Sequence, residues 1–173
     1  MRGSALACVL LAAPASPAVA LTLSSTDLRD GASMPAEQIY SSCGGRNVSP
    51  ELAWSGAPAA TRSFVLTMID LDVKPRDWSH WIITDIPPTA TGVDHGAGGL
   101  GPPAQGVKSN MESDRYAGPC PPPGSGVHHY ELTIWAMPTP TTAVAPNAPA
   151  ISLRASLEKA SIAHASITAT AWR

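Results

Sequence analysis

Short apolar runs with the character of β-strands, set between stretches rich in proline and glycine, constrain this chain more than any other feature. The chain contains 18 Pro and 14 Gly, and both residue types interrupt helices and strands. The runs are residues 21–24, 52–54, 63–70, 81–84 and 130–137. The last run alternates, which places Tyr130, Leu132, Ile134 and Ala136 on one face. This pattern predicts antiparallel sheets and argues against a bundle of helices.

One segment near the C-terminus predicts a helix, over residues 152–164. Ser152 is suited to be its N-cap, and an apolar stripe follows at helical spacing. The stripe consists of Leu153, Leu157, Ala160 and Ile162. Residues 165–172 then return to two-residue alternation, which predicts a final strand. Residues 89–127 show little periodicity, and so long an irregular stretch in a compact domain is usually functional or disordered.

The N-terminus has the order of a secretory signal. Arg2 supplies a positive charge, residues 5–13 form an apolar run, and Ala18 and Ala20 are small residues at the positions that a signal peptidase reads. The alternative is a buried N-terminal helix, but Pro14 interrupts that run.

We therefore predict a signal peptide over residues 1–20 and one mature domain over residues 21–173, exported to the periplasm or secreted. Cys8 has no small-residue cleavage site before it, so we do not expect a lipid anchor. The apolar run is too short for an integral membrane span. The chain carries 11 Lys+Arg against 13 Asp+Glu and no basic patch, so nucleic acid is not an expected partner.

Two cysteines, Cys43 and Cys120, remain in the predicted mature chain. In an oxidising compartment an even number of cysteines indicates a disulfide, which is the interpretation that we favour. Two free, buried thiols are the alternative.

Polar residues that could carry chemistry lie near the ends of the predicted strands. Asp70 and Asp72 end one strand, His80 begins the next, and His128 and Tyr130 follow a stiff loop rich in Gly and Pro. Loops and strand ends on a rigid sheet are where binding residues concentrate. Each position also has a purely structural explanation, because an Asp often forms a turn and a buried His often only satisfies its own ring nitrogens.

Four ordered motifs resemble those of the phosphatidylethanolamine-binding protein family, in its bacterial, Raf-kinase-inhibitor-like branch. Asp70-Leu71-Asp72 with Pro75 is similar to an Asp-Pro-Asp-x-Pro segment, and Ser79-His80-Trp81 resembles a His-Trp signature. The other two are residues 118–130, which contain Gly118-Pro119, Gly126 and His128-His129-Tyr130, and residues 43–50, which read Cys-Gly-Gly-Arg-Asn-Val-Ser-Pro. The resemblance covers nearly all of residues 21–173.

The resemblance implies a mostly β fold of two packed antiparallel sheets with a peripheral helix near the C-terminus. It also implies a small pocket for a phosphate or a phosphorylated head group. The residues that would line this pocket are Asp70, Asp72, His80, His128 and Tyr130, with Gly118 and Pro119 as a wall. Imidazole and phenol donors suit an anion, and a carboxylate beside a histidine would orient and charge it.

The chain departs from the family pattern at two places. Leu71 stands where the middle Pro is usual, with two residues rather than one before Pro75. His129 stands where Arg is common, which removes a permanent cation from the rim.

Three classes of function compete, and we rank a binding protein for a small anionic ligand first. A protein-directed regulator, such as a kinase or protease inhibitor, is the alternative, although export would separate the chain from cytoplasmic kinases. An enzyme is the least favoured class, because the sequence has no Gly-x-Ser-x-Gly elbow and no His-Glu-x-x-His motif. Cys120 near His128 is a conceivable nucleophile, which a disulfide would silence. We expect no cofactor and no metal, because the Asp and His residues lack close ligand spacing.

Overall fold

The computed structural model describes residues 20–173, so the predicted signal peptide, apart from its last residue, lies outside the described residues. Two antiparallel sheets and one α-helix make up the fold. The strands are β1 (Thr22–Ser24), β2 (Leu52–Ser55), β3 (Ser63–Asp70), β4 (Trp78–Ile86), β5 (Gly92–Val93), β6 (Gln105–Gly106), β7 (His128–Met137) and β8 (Ala163–Ala171). The helix α1 is Ala150–Ala160, and Ser41–Cys43 forms one 3-10 turn.

Three strands, in the order β1-β2-β5, form the smaller sheet, and five strands, in the order β6-β4-β3-β7-β8, form the larger one. The central strand β3 is buried at every position. It therefore reads as a continuous apolar run rather than an alternating one, as strands covered on both faces do.

The main core lies between the two sheets. Phe64, Leu66 and Met68 of β3 face into it, and Trp54 of the smaller sheet packs against Phe64 with ring centroids 5.7 Å apart. The predicted apolar face of β7 is confirmed, since Tyr130, Leu132, Ile134 and Ala136 all belong to this core. The mostly β fold of two antiparallel sheets, with one helix near the C-terminus, is likewise confirmed.

The helix covers the other face of the larger sheet, where Leu153 and Leu157 pack on Val65, Ile82 and Trp135. Our predicted helix boundaries were wrong. The helix begins at Ala150, after Pro149, whose carbonyl accepts a hydrogen bond from the Leu153 N–H. Ser152 therefore lies in the first turn and does not cap it.

The predicted stripe was also too long. Ile162 is exposed, and its N–H donates to the carbonyl of Ala136 in β7. The chain has left the helix at this point because β8 pairs with β7 from Ala163 onwards. The helix therefore ends earlier than its local sequence predicts, because the following residues pair with β7.

Two short strands interrupt the stretch that showed no periodicity. β5 pairs with β2, and β6 pairs with β4. A two-residue strand cannot display an alternation, which is why the sequence pattern missed both. Within residues 20–173 no helix is long and apolar enough to cross a membrane.

Candidate functional site

A cavity of about 250 Å³ opens at the end of the larger sheet where β3 ends and where β4 and β7 begin. It is lined by Asp70, Val73, Trp78, His80, Met111, Cys120, Pro121, Pro122, His128 and Tyr130. Four of the predicted ligand-binding residues, Asp70, His80, His128 and Tyr130, are among them.

Strand register brings these four side chains together. Asp70 pairs directly with Trp78 of β4 on one side and with Tyr130 of β7 on the other. His80 follows Trp78 by two residues, and His128 precedes Tyr130 by two. Because side chains two residues apart lie on the same face of a strand, His128 faces the same side as Asp70. His80 lies where the register of β3 with β4 shifts, between the Ile69–Ser79 and Met68–Trp81 pairs, and its side chain also lines the cavity.

Asp70 and His128 form a buried pair at the centre of the cavity. Nδ1 of His128 lies 2.7 Å from Oδ2 of Asp70, and the two residues are only 5% and 2% exposed. The other carboxylate oxygen accepts a 2.9 Å hydrogen bond from the N–H of Asp72. Since a carboxylate only accepts, His128 donates from Nδ1 and keeps Nε2 for the cavity.

His80 is arranged in the same way against a different acceptor. Its Nδ1 lies 2.9 Å from the carbonyl oxygen of Ala117, so Nδ1 carries the proton. No residue within 20–173 forms a hydrogen bond with its Nε2. Burial lowers the pKa of His80, although the Ala117 carbonyl, the Asp70 carboxylate and the Gly118 backbone favour the charged form. His80 is therefore neutral near pH 7, with a free lone pair on Nε2.

The ring of Tyr130 contacts both histidines. The Tyr130 ring meets His80 edge-on with centroids 5.2 Å apart and lies nearly parallel to His128 at 6.4 Å. Its hydroxyl is buried and makes no hydrogen bond of good geometry with any described residue, although the Asp70 side chain and the Cys120 backbone lie near enough to influence its pKa. Burial and the Asp70 carboxylate raise the pKa of Tyr130, so the phenol stays protonated and is a donor.

Asp72 does not line the cavity. Its carboxylate accepts hydrogen bonds from the backbone N–H and from Nδ1 of His129, at 2.7 and 2.9 Å. Partial burial acts to raise the pKa of Asp72, but the hydrogen bonds from His129 outweigh it and lower that pKa. His129, which stands where the family commonly has Arg, is therefore hydrogen-bonded to Asp72 and half exposed, and it does not line the cavity.

Gly118 and Pro119 do not form the wall that the resemblance implied. The N–H of Gly118 donates to Oδ1 of Asn47 at 2.7 Å, and the Pro119 carbonyl accepts from the Tyr40 N–H at 3.0 Å. A Cβ at position 118 would collide with the Gln38 carbonyl, so only glycine fits. Both residues fasten the loop to the preceding segment, and the wall is made by the next three residues, Cys120, Pro121 and Pro122.

A disulfide between Cys43 and Cys120 holds this wall. The lining also includes Val73, Trp78 and Met111, none of which the sequence analysis named as a site residue. Met111 lies on a loop that is attached to β4 through the neighbouring Asn110. The side-chain oxygen of Asn110 accepts hydrogen bonds from the N–H and the hydroxyl of Ser79. The only sequence signal for Val73, Trp78 and Met111 was their closeness to the motif blocks.

The polar groups of the cavity come from Asp70, His80, His128 and Tyr130. Within residues 20–173 no three His, Cys, Asp or Glu side chains form a cluster that could hold a metal ion. Cys120 is bonded to Cys43 and offers no thiolate. What the cavity presents is one phenol donor and two imidazole Nε2 atoms above a buried carboxylate.

Known proteins are similar in sequence to this chain over most of its described length. A sequence model of the phosphatidylethanolamine-binding protein family matches residues 24–172. YbcL of Escherichia coli (strain K12) is 33% identical over 159 residues, which are 87% of this chain and 87% of YbcL. LppC of Mycobacterium tuberculosis (strain ATCC 25618 / H37Rv), which is named as a lipoprotein, is 38% identical over 128 residues, covering 72% of this chain and 59% of LppC.

The fold is shared as well. The crystal structure of E. coli YbcL, described as a new member of the mammalian PEBP family, superposes with a TM-score of 0.80 at 30% identity, covering 88% of this chain and 98% of YbcL. The matched span, the sheet topology and the ordered motifs agree with one another. The chain belongs to the phosphatidylethanolamine-binding protein family.

Proposed function

We propose that this protein binds a small phosphorylated ligand, such as a phosphorylated head group, in the cavity beside Asp70 and His128. The observation that carries the proposal is the buried Tyr130 hydroxyl, which has no hydrogen-bond partner of good geometry among the described residues and belongs to a ring in contact with both imidazoles. An unpaired buried hydroxyl lowers stability. A ligand oxygen that accepts its hydrogen bond removes this penalty, so the site is preorganised for an acceptor.

The cavity size and the rim favour a small head group. A volume of about 250 Å³ is below the range that drug-sized ligands occupy. Trp78 lies at the rim with part of its ring exposed. An ammonium group of the ligand would be stabilised over such a ring by a cation–π interaction.

The test is a titration with O-phosphorylethanolamine, followed by thermal unfolding. At a hundredfold excess over Kd, the ligand should stabilise the fold by about 2.7 kcal/mol. His128→Ala should lose most of this stabilisation. His164→Ala is the matched control, because His164 is exposed, contacts Trp135 and does not line the cavity. Equal stabilisation of both variants would place the ligand elsewhere, and no stabilisation of the wild type would refute the proposal.

We further propose that the ligand is bound and released unchanged. In support, the candidate cysteine nucleophile at the cavity is held in a disulfide. Phosphorus NMR of a phosphorylethanolamine solution incubated with the protein should show no new resonance. Release of inorganic phosphate, lost in the His128→Ala variant, would instead establish a hydrolase.

We also propose that the mature protein is exported. The N-terminal signal pattern, the disulfide and the lipoprotein name of LppC support this location, because structural disulfides persist in oxidising compartments. Intact-mass measurement on protein from the periplasm and from the medium should give the mass of residues 21–173. Full-length protein confined to the cytoplasm would contradict export.

A further inference from the structure

The cavity has more acceptors than an ordinary anion site, and this limits the ligands that it can take. We propose that the site selects an anion that carries its own proton, namely a phosphate monoester in its monoanionic form, over sulfate esters. This inference rests on the proposed function and adds a chemical requirement to it.

His80 sets the requirement. Its Nδ1 proton is committed to the Ala117 carbonyl, so Nε2 of the neutral ring offers only a lone pair. A ligand oxygen without a proton would place its own lone pair against this one. A ligand P–OH group would instead donate to Nε2 and complete the hydrogen bonds of a ring that is almost fully buried.

His128 and Tyr130 complete the pattern. Nδ1 of His128 is committed to Asp70, so its Nε2 also accepts when the ring is neutral. Tyr130 alone supplies a donor that does not depend on protonation. The monoanion of a phosphate monoester matches this set, because it has oxygens to accept from Tyr130 and one hydroxyl to donate to an imidazole.

The charges around His80 favour the same choice. The titratable groups that face it are Asp70, His128 and Tyr130, and Asp72 lies beyond Asp70 on the outer side. The Asp70 carboxylate is buried, so a dianion would lie beside an existing negative charge in a region of low dielectric. Burial also lowers the pKa of His80, which makes solvent a poor source of the missing proton. The proton can reside on the ligand or on Nε2 of His80. In either case the complex contains one proton more than the free protein and the free dianion together.

This proton fixes the pH dependence. The second pKa of a phosphate monoester is about 6. Above it the free ligand is a dianion, so binding takes up one proton and the affinity should fall about tenfold for each pH unit. A sulfate monoester is a monoanion at every pH in this range but has no proton to donate.

Methyl phosphate and methyl sulfate provide the test, because their monoanions match in shape and charge and differ by one hydroxyl proton. Calorimetric titrations at pH 6.0, 7.0 and 8.0 should give at least about tenfold tighter binding of methyl phosphate at pH 6.0. Titrations in two buffers of different ionisation enthalpy at pH 8.0 should show uptake of about one proton.

A variant of His80 tests the role of its Nε2 acceptor independently of the other residues of the site. In His80→Asn the amide N–H can replace Nδ1 as donor to Ala117, while the Nε2 acceptor is lost. Methyl phosphate and methyl sulfate should then bind within about threefold of each other, and the His164→Asn control should keep the wild-type preference. Circular dichroism confirms that both variants are folded.

The results distinguish the two proposals. Equal affinity of wild-type protein for both ligands, or tighter binding of methyl sulfate, would overturn the proton requirement and leave anion binding intact. Binding of neither ligand at millimolar concentration would overturn the proposed function and this inference together.

Discussion

His128 donates a hydrogen bond from Nδ1 to Asp70 across 2.7 Å, and both side chains are almost fully buried. His129 and Asp72, which lie close to this pair in the sequence, form a similar contact at 2.9 Å in an exposed position just beyond the end of β3. Two His–Asp pairs, one buried and one partly exposed, thus lie within a few residues of each other. They allow the contribution of burial to be measured directly.

Asp70→Asn should destabilise the protein far more than Asp72→Asn. An amide in place of the Asp70 carboxylate directs an N–H group at one of its two donors, His128 Nδ1 or the Asp72 N–H. An unsatisfied buried donor costs about 1–3 kcal/mol, whereas an exposed contact between two titratable side chains contributes about 0–1 kcal/mol even when both are charged. Urea denaturation at pH 7.5 measures both changes. Equal losses would show that the Asp70 pair is accessible to water.

The free energy of unfolding should fall as the pH drops below about 6.5, and His80 should account for part of this fall. Burial lowers the pKa of His80 in the folded state. Between that lowered value and about 6.5, the unfolded chain binds a proton that the folded protein does not. The unfolding free energy should therefore decrease by up to about 1.4 kcal/mol per pH unit in this window.

Wild-type protein and His80→Asn are compared by urea denaturation at pH 7.5 and 5.5. The difference between the two proteins should shrink at the lower pH. The hydrogen bond from His95 to Asp27 raises the pKa of His95, so its stabilisation is lost as the pH rises through that raised value. This opposite effect is common to both proteins and cancels in the comparison. A difference that does not change with pH would mean that His80 is not held neutral.

Much of the fold could be predicted because burial leaves a signature in the sequence. β3 is covered on both faces, and its run of eight residues coincides with the observed strand. β4 and β7 are longer than their apolar runs, because Trp78 and His128 at their first positions belong to the cavity rather than to the core. The end of α1 could not be predicted, since it depends on pairing between β7 and β8 that local sequence does not encode.

The candidate site was predictable only in part. Asp70, His80, His128 and Tyr130 lie on strands, so the strand register brings them together once the sheet order is known. Met111 and Pro121 lie on irregular loops, whose path depends on tertiary contacts such as those of Asn110 and the disulfide. The role of Gly118 in fastening its loop follows from a close backbone approach that no sequence pattern reveals.

Leu157→Ala should remove much of the contact between the helix and the larger sheet. Leu157 is buried against the cluster that contains Val65 and Trp135, so the free energy of unfolding should fall by about 2–5 kcal/mol. Ile151→Ala in the same helix is the control, because Ile151 is about half exposed. Its effect should stay within about 0.5 kcal/mol. A loss this small at Leu157 would contradict the docking of α1.

Breaking the disulfide should lower stability and affect the cavity. Cys43 and Cys120 are 77 residues apart, and closing a loop of this length contributes about 4.5 kcal/mol in the chain-entropy description. The double variant Cys43→Ser/Cys120→Ser should lose stability of this order in urea denaturation. Phosphorylethanolamine should also bind it more weakly, because Cys120 lines the cavity. Peptide mapping without reductant should recover the two cysteines in one cross-linked species, and separate peptides would contradict the bond.

Two buried tyrosines should respond in opposite ways to the loss of a hydroxyl. Tyr116 donates to the Gln38 carbonyl at 2.8 Å, so Tyr116→Phe leaves a buried acceptor without its partner. The free energy of unfolding should fall by about 1 kcal/mol, with no change in anion affinity. The Tyr130 hydroxyl has no partner among the described residues. Tyr130→Phe should therefore leave the free energy of unfolding unchanged or raise it, because an unpaired polar group is removed from the interior.

The same Tyr130→Phe change should weaken anion binding, since the variant loses the donor that does not depend on pH. A hydrogen bond to a charged ligand contributes about 1.5–3 kcal/mol, which corresponds to about a tenfold to hundredfold loss of affinity. Urea denaturation and calorimetry with methyl phosphate measure the two properties on the same samples. A residue that only maintained the fold would lower stability and affinity together. A binding residue is expected to lower the affinity on substitution without lowering the free energy of unfolding. A Tyr130→Phe variant that loses stability but binds methyl phosphate normally would show that Tyr130 is not part of the site.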